Sequence, residues 1–269
     1  MAFKILKITS ALMLLCATVS TATAADFNST KSLADKGDAK AQYDMGNMYY
    51  DGKGVAKDLV KSAYWLEKSA NQGYANAQYN LGMMYSDGEG VTQDFSKSVE
   101  LYRKAADQGL AAAQNNLARK YERGEGVQQD YYRAADLYRK SAEQGYTQAQ
   151  FNLGLKYKEG KGVAQDNYKA AEWYNKAANQ GHTEAQYNIG VMYHNGDPIK
   201  RDYIKAADFF QKAASKGLPN AQYNLAIMYE SGQGVRQNKT QAKNWYGKAC
   251  KSSFQNSCSS YKNLTRQGY

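Results

Sequence analysis

Apolar and polar positions follow one another along this chain with the period of a helix. In "AQYNLGMMYSDGEGV", residues 77–91, steps of 100° from Ala77 bring Leu81, Met84 and Tyr85 within about 80° of it. That face predicts a core. Tyr79, Met83 and Ser86 point the opposite way. Gly82 lies between the faces, where a missing side chain would let a partner helix approach. The apolar pattern stops at Asp87-Gly88-Glu89-Gly90. A second helical pattern, "DFSKSVELYRKAADQ", opens at Asp94, a favourable N-cap, and closes at Gly109, a C′ glycine. Its buried side is predicted to carry Val99, Leu101 or Tyr102, and Ala105–Ala106. Loops this short make the paired helices antiparallel.

The whole pattern then repeats. An Ala-Gln pair stands at 41, 77, 113, 149, 185 and 221, a spacing of 36 residues without one insertion. Gly37, Gly73, Gly145, Gly181 and Gly217 take the place of Gly109 in the other copies. Periods of this length belong to stacked repeats, each too small to bury a core alone. Two prolines among 269 residues, with regularly placed glycines, agree with helices punctuated by turns. A chain that is 43% hydrophobic and 22% charged is too apolar to be disordered.

These residues carry a family resemblance. "A-Q-Y-N-L-G-x-M-Y-x-x-G-x-G-V" followed by "A-A-x-W-Y-x-K-A-A-x-Q-G" resembles the Sel-1-like repeats, relatives of the tetratricopeptide repeats, over about residues 37–269. The resemblance implies an all-α fold, a right-handed α-solenoid of six helix-turn-helix repeats whose first helices line a concave surface. It implies a scaffold or adaptor for other proteins. The family also includes periplasmic immunity proteins that neutralise toxic lipases, envelope scaffolds and secreted factors that engage host proteins. On this reading residues 1–24 are a signal peptide, 25–40 an N-terminal cap, 41–256 the six repeats and 257–269 a C-terminal capping helix.

Some copies depart from the pattern. The fifth reads "HNGDPIKRD", with Asp197-Pro198-Ile199 where the others have x-Gly-Val. Proline cannot reproduce a left-handed glycine turn, so this loop should differ in shape. The third copy has Asn115, Arg119 and Lys120 where its neighbours are mostly aromatic or aliphatic at the first two positions. The N-terminal "STKSLADKGDAK" aligns with the end of a second helix. The last piece, "SCSSYKNLTRQGY", keeps first-helix register without the motif, as a polar cap would.

The beginning of the chain reads differently. "MAFKILKITSALMLLCATVSTATAAD" has Lys4 and Lys7, an apolar stretch to about Val19, and the small residues Ala22-Thr23-Ala24. This is the form of a secretory signal cut near Ala24, and its core is short for a membrane span. Cys16 follows bulky Leu15, where a lipoprotein site needs a small residue. Cleavage would lower the formal net charge from +10 by the two lysines, to +8. The mature protein would be periplasmic or secreted. It would keep two cysteines, Cys250 and Cys258. An even pair in an exported protein reads as one disulfide; two small reduced core residues are the alternative. The resemblance supports the bond, since cysteine-rich secreted members staple helices with this spacing. A loop this short is worth about 2–3 kcal/mol by chain entropy.

A solenoid binds through rows of equivalent positions. The outward row of the first helices is Tyr43, Tyr79, Asn115, Phe151, Tyr187 and Tyr223. One turn on come Asn47, Met83, Arg119, Leu155, Val191 and Ile227, then Tyr50, Ser86, Glu122, Lys158, His194 and Glu230. The rings either pack between repeats or face a partner; the row as a whole predicts an apolar trough for a protein or peptide. Tyr43, Tyr79, Met83, Phe151, Leu155, Tyr187 and Tyr223 are its expected anchors. Asn115, with Arg119 and Arg123, forms a polar break in it.

A second row, Lys68, Lys104, Lys140, Lys176, Lys212 and Lys248, ends the second helices, where a cation complements the helix dipole. The rival reading is a basic stripe for anionic lipid. Nucleic acid is not expected, since no nucleic-acid motif accompanies the lysines. Chemistry is not expected either, and neither is a cofactor. His182 and His194 are twelve residues apart, roughly 18 Å along a helix, too far to share a metal. The "DGxG" loops carry too few acids for calcium. Some cysteine-rich relatives are described as penicillin-binding or weak β-lactamases, which leaves a hydrolase as the alternative function. The one Ser-x-x-Lys of the mature chain, Ser259 to Lys262, lies in the polar terminal piece. A monomer is expected.

Overall fold

The computed structural model describes residues 26–269, so the signal-peptide reading of 1–24 lies outside the described residues. Among those described, every regular element is an α-helix. The chain divides into two compact units, one ending at Asp130 and one beginning at Tyr131.

The first unit contains α1 (residues 26–35), α2 (Ala39–Asp51), α3 (Leu59–Asn71), α4 (Ala75–Asp87), α5 (Phe95–Asp107) and α6 (Ala111–Arg123). The second contains α7 (Tyr131–Glu143), α8 (Thr147–Glu159), α9 (Asn167–Asn179), α10 (Thr183–Asn195), α11 (Tyr203–Ser215), α12 (Pro219–Ser231), α13 (Lys239–Lys251) and α14 (Gln255–Arg266). Within each unit the helices pack against their neighbours in sequence, as in a short α-solenoid. The expected all-helical repeat fold is therefore observed.

The same local chemistry sets the helix ends each time. Asp58, Asp94, Asp166 and Asp202 each accept a hydrogen bond from the backbone N–H three residues on, at 2.9–3.0 Å, and so start the second helices. The first helices end on a left-handed glycine, for example Gly88 at φ +73°. The second glycine of the loop has a different task. A Cβ on Gly90 would lie 2.2 Å from the Leu59 carbonyl oxygen, and one on Gly162 would lie 1.9 Å from that of Tyr131. Only glycine lets this loop rest on the start of the preceding second helix.

Of the predicted core face, Leu81 and Met84 on α4 and Val99, Ala105 and Ala106 on α5 are buried, whereas Tyr85 is half-buried. Between Leu101 and Tyr102 it is Tyr102 that is buried, and Leu101 is half-buried. Gly82 and Gly190 are close-approach points, since a Cβ at either would stand 2.9 Å from the ring of Tyr102 or Phe210.

The Ala-Gln pair has a physical reason. Gln78 is buried, and its Nε2 donates to the Ala70 carbonyl at 3.2 Å, one of the orphan acceptors at the end of α3. Its Oε1 accepts from Gln108 at the end of the next second helix, at 2.8 Å. In the second unit Gln150 does the same with Ala142 and Gln180. The pair thus joins three successive helices and satisfies a buried carbonyl that would otherwise cost about 1–3 kcal/mol.

At the chain's end Leu264 of α14 is buried against α13, and a disulfide joins Cys250 to Cys258 with Cα atoms 4.6 Å apart. The loop after α10 does differ from the others. It contains a cis Asp197–Pro198 bond and lacks the second glycine.

Candidate functional site

The outward positions of the first helices are where these repeats differ. Their rings are half-buried, and four of them lean on a ring of the same repeat's second helix. Centroids lie 5.8 Å apart for Tyr79 and Tyr102, 5.7 Å for Phe151 and Tyr174, 5.9 Å for Tyr187 and Phe210, and 5.7 Å for Tyr223 and Tyr246. Several rings also touch the residue before the next first helix: Tyr43 with Tyr74, Phe151 with His182 at 4.3 Å, and Tyr223 with Phe254. These contacts tie the rings to the second helix of their own repeat and, for Tyr43, Phe151 and Tyr223, to the start of the next first helix. Asn115 departs from the expected row. Its side chain is only 2% exposed and donates to Asn116, so it lies inside rather than in a trough. Alone among these positions it has no ring to stand proud of the helix.

In the first unit a cleft of about 350 Å³ opens between α4 and α6. Met83, Phe95 and Tyr102 form its apolar wall, and Arg119, Lys120 and Arg123 bring three cations to it. Arg119 and Arg123 are exposed. Lys120 is not: its side chain is 8% exposed. It occupies the register of the core methionines Met48 and Met84, and its ammonium has replaced their contacts with polar ones. Nζ donates to Ser86 Oγ at 2.9 Å and to Glu125 at 2.8 Å, and sits 4.2 Å from the Phe95 ring centre. The hydrogen bond from Lys120 holds the Glu125 carboxyl below its ordinary range. Burial pushes the Tyr102 hydroxyl up to about 12, so it stays a neutral hydrogen-bonding group.

In the second unit a cleft of about 360 Å³ lies beside α10, lined by Tyr187, Asn188, Val191, Lys158 and Pro198. Leu155 and Tyr223, on neighbouring rows of their helices, are half-buried.

Four of the six lysines in the row are paired locally. Lys104, Lys140, Lys176 and Lys212 each pair with the acid one turn back, at 2.6–3.0 Å. Lys68 lies over Tyr64 and Trp65, and Lys248 lies 3.8 Å from the Trp245 ring centre. All six sit in the last turn of a helix, where a cation complements the dipole. His182 caps α10, its Nδ1 accepting from Ala185 N at 3.3 Å, and His194 lies in the last turn of the same helix. Among the described residues no cluster of three metal-binding side chains occurs. No described helix is long and apolar enough to cross a membrane.

Sequence reading missed two features. Lys156, like Lys120, is a buried lysine in a methionine register. Tyr132, Tyr168 and Ile204, one repeat apart at the start of α7, α9 and α11, are about 70–80% exposed. Their 36-residue spacing was the available signal.

A family model described as "Sel1 repeat" matches residues 39–74, 75–110, 111–146, 147–182, 183–218 and 219–254. The chain belongs to the Sel1 repeat family. Sel1 repeat proteins are protein-interaction scaffolds, generally without enzymatic activity. Among solved structures, this Sel1 protein is similar to c5321, a protective antigen of uropathogenic Escherichia coli with the same repeat fold. The two are 37% identical, with a TM-score of 0.87 over 90% of this chain and 52% of c5321. This Sel1 chain thus spans about half the length of that relative. It is also similar to a Sel1 repeat protein from Oxalobacter formigenes, at 36% identity and a TM-score of 0.79, covering 87% of this chain and 68% of the other. A search of curated proteins found no match.

Proposed function

We propose that this protein is an exported interaction scaffold that holds a segment of a partner protein against the outer face of its first helices. The supporting observation is that each unit carries a cleft on that face, at positions that vary between copies while the Ala-Gln frame does not. Met83, Arg119 and Arg123 line the first, and Tyr187 and Val191 the second. Tyr43, Tyr79, Phe151, Leu155 and Tyr223 extend the apolar surface of their own units. Half-buried aromatic and aliphatic side chains are pre-organised, so a partner loses little entropy in docking on them. Export is supported by the signal-like N-terminus and by the disulfide.

The test is a pull-down from the native cell's envelope and secreted fractions. The baits are the mature protein and a Met83→Ala/Val191→Ala variant. These two half-buried side chains are chosen because neither is part of the ring packing between helices. A partner retained by the first bait and lost from the second supports the reading. Equal recovery by both baits moves binding to another face.

A further inference from the structure

Arg119 makes no ion pair or hydrogen bond among the described residues, although two carboxylates line the same cleft. Glu125 is taken by Lys120 at 2.8 Å, with Arg123 at 3.5 Å. Asp87 is the other acid of the lining. Three cations against two carboxylates leave one positive charge, and the free guanidinium is the group that carries it. The arrangement belongs to this copy alone. Positions equivalent to Arg119 hold Asn47, Met83, Leu155, Val191 and Ile227, and those equivalent to Arg123 hold Asp51, Asp87, Glu159, Asn195 and Ser231.

The cleft is also not isolated. A second one of about 120 Å³, beside Asn47, Tyr50 and Asn80, shares Met83 and Asp87 with it. An occupant of both would run along the first unit's face for more than one residue. Phe95, Tyr102 and Met83 would shield its polar end from water, which strengthens a charge-assisted bond there.

Resting on the scaffold reading, we propose that this cleft takes the carboxylate of an aspartate or glutamate within an extended segment of the partner protein. Arg119 is its bidentate ligand, with Arg123 beside it. A carboxylate is preferred to a phosphate group because the surplus is a single charge, and a dianion would face Asp87 and Glu125 as well. Arginine suits the task, since its planar fork matches two carboxylate oxygens.

The experiment is a selection of displayed random dodecapeptides on the mature, disulfide-intact protein, followed by titration of synthetic winners. Aspartate or glutamate should be enriched at one fixed position. Changing that residue to its amide should weaken binding about tenfold, and Arg119→Ala should do the same to the acidic peptide. In the Arg119→Ala protein the acid and amide peptides should bind alike, and Arg119→Lys should restore only part of the loss. Arg119 is exposed, so the variant's helicity and melting should match the parent's. Winners without an acid preference, or acid and amide peptides of equal affinity on the parent, overturn the carboxylate site and leave the scaffold reading standing. A selection that yields no winner at all overturns both.

Discussion

Two clefts of nearly equal volume, about 350 and 360 Å³, lie on equivalent helices of two different units, yet their linings share almost no chemistry. Beside α6 the walls hold Arg119, Lys120, Arg123 and Glu125. Beside α10 the same registers hold Val191, Met192, Asn195 and Asp197. The frame under both is alike. Gln114 and Gln186 each donate to a helix-terminal carbonyl, at 3.3 and 3.1 Å. The comparison teaches that an unchanging set of registers holds the stack while others on the same helix change chemistry from copy to copy. Alanine, glutamine and the small residue that follows leucine, isoleucine or methionine fix the stack. The position six residues beyond the alanine varies freely, from Asn47 and Met83 to Arg119, Leu155, Val191 and Ile227.

The largest effect should come from the loops below the clefts. Gly126 has φ +70°, and a Cβ there would lie 2.3 Å from the Phe95 carbonyl. Gly126→Ala combines left-handed strain with a backbone clash and should cost about 2–4 kcal/mol in denaturant unfolding. Pro198 replaces that glycine in the fifth copy, and Pro198→Gly should change stability by less than about 1 kcal/mol. Equal effects at the two sites would show that the loops do not differ in what they support.

A second test concerns the glutamine frame. Gln78 has both ends satisfied, by Ala70 and Gln108. In the fifth copy Lys216 stands where Gln108 would be, and its ammonium donates to the Gly181 carbonyl instead. Gln186 Oε1 is consequently buried without a hydrogen-bond partner among the described residues. Lys216→Gln should stabilise the protein by about 0.5–1.5 kcal/mol, whereas Gln78→Ala should destabilise it by about 1–3 kcal/mol. A melting midpoint that falls in Lys216→Gln would contradict the frame.

The helices, their ends and the core face were legible because each is set by local chemistry that the repeat writes again and again. N-cap aspartates, left-handed glycines and a 3.6-residue apolar period need no tertiary information. The choice between Leu101 and Tyr102 was not legible, since both lie near the buried side and the close approach of Gly82 decides it. Nor was the inward turn of Asn115, because a single register gives a direction and not a depth. Lys120 stood out as a departure, but its burial depends on Ser86 and Glu125, brought to it by the fold. Arg119 and Arg123 are exposed. That Arg119 is left over once the acids are paired emerges only from the distances.

The smallest effect separates the clefts by pH. α4 and α6 begin after Tyr74 and Leu110, which give no side-chain cap, whereas α10 begins with His182 as an acceptor. That role needs a neutral Nδ1, and burial lowers the imidazole's affinity for a proton, with Lys216 adding to the effect and Glu184 opposing it. A histidine whose folded pKa lies below the ordinary 6.5 or so contributes its full stability above that value. As pH falls through 6.5 the unfolded chain takes up the proton first, so stability declines until the folded pKa is reached and then levels off. His182→Asn keeps a capping side chain that does not titrate. It should lose ring contact with Phe151 as a constant offset at every pH, while its stability between pH 7 and 5 falls less steeply than the parent's. Parallel curves for the two proteins would remove His182 as the source of the slope. A steeper fall in the parent would tie acid sensitivity to the helix that carries Tyr187 and Val191, and not to the helix that carries Arg119.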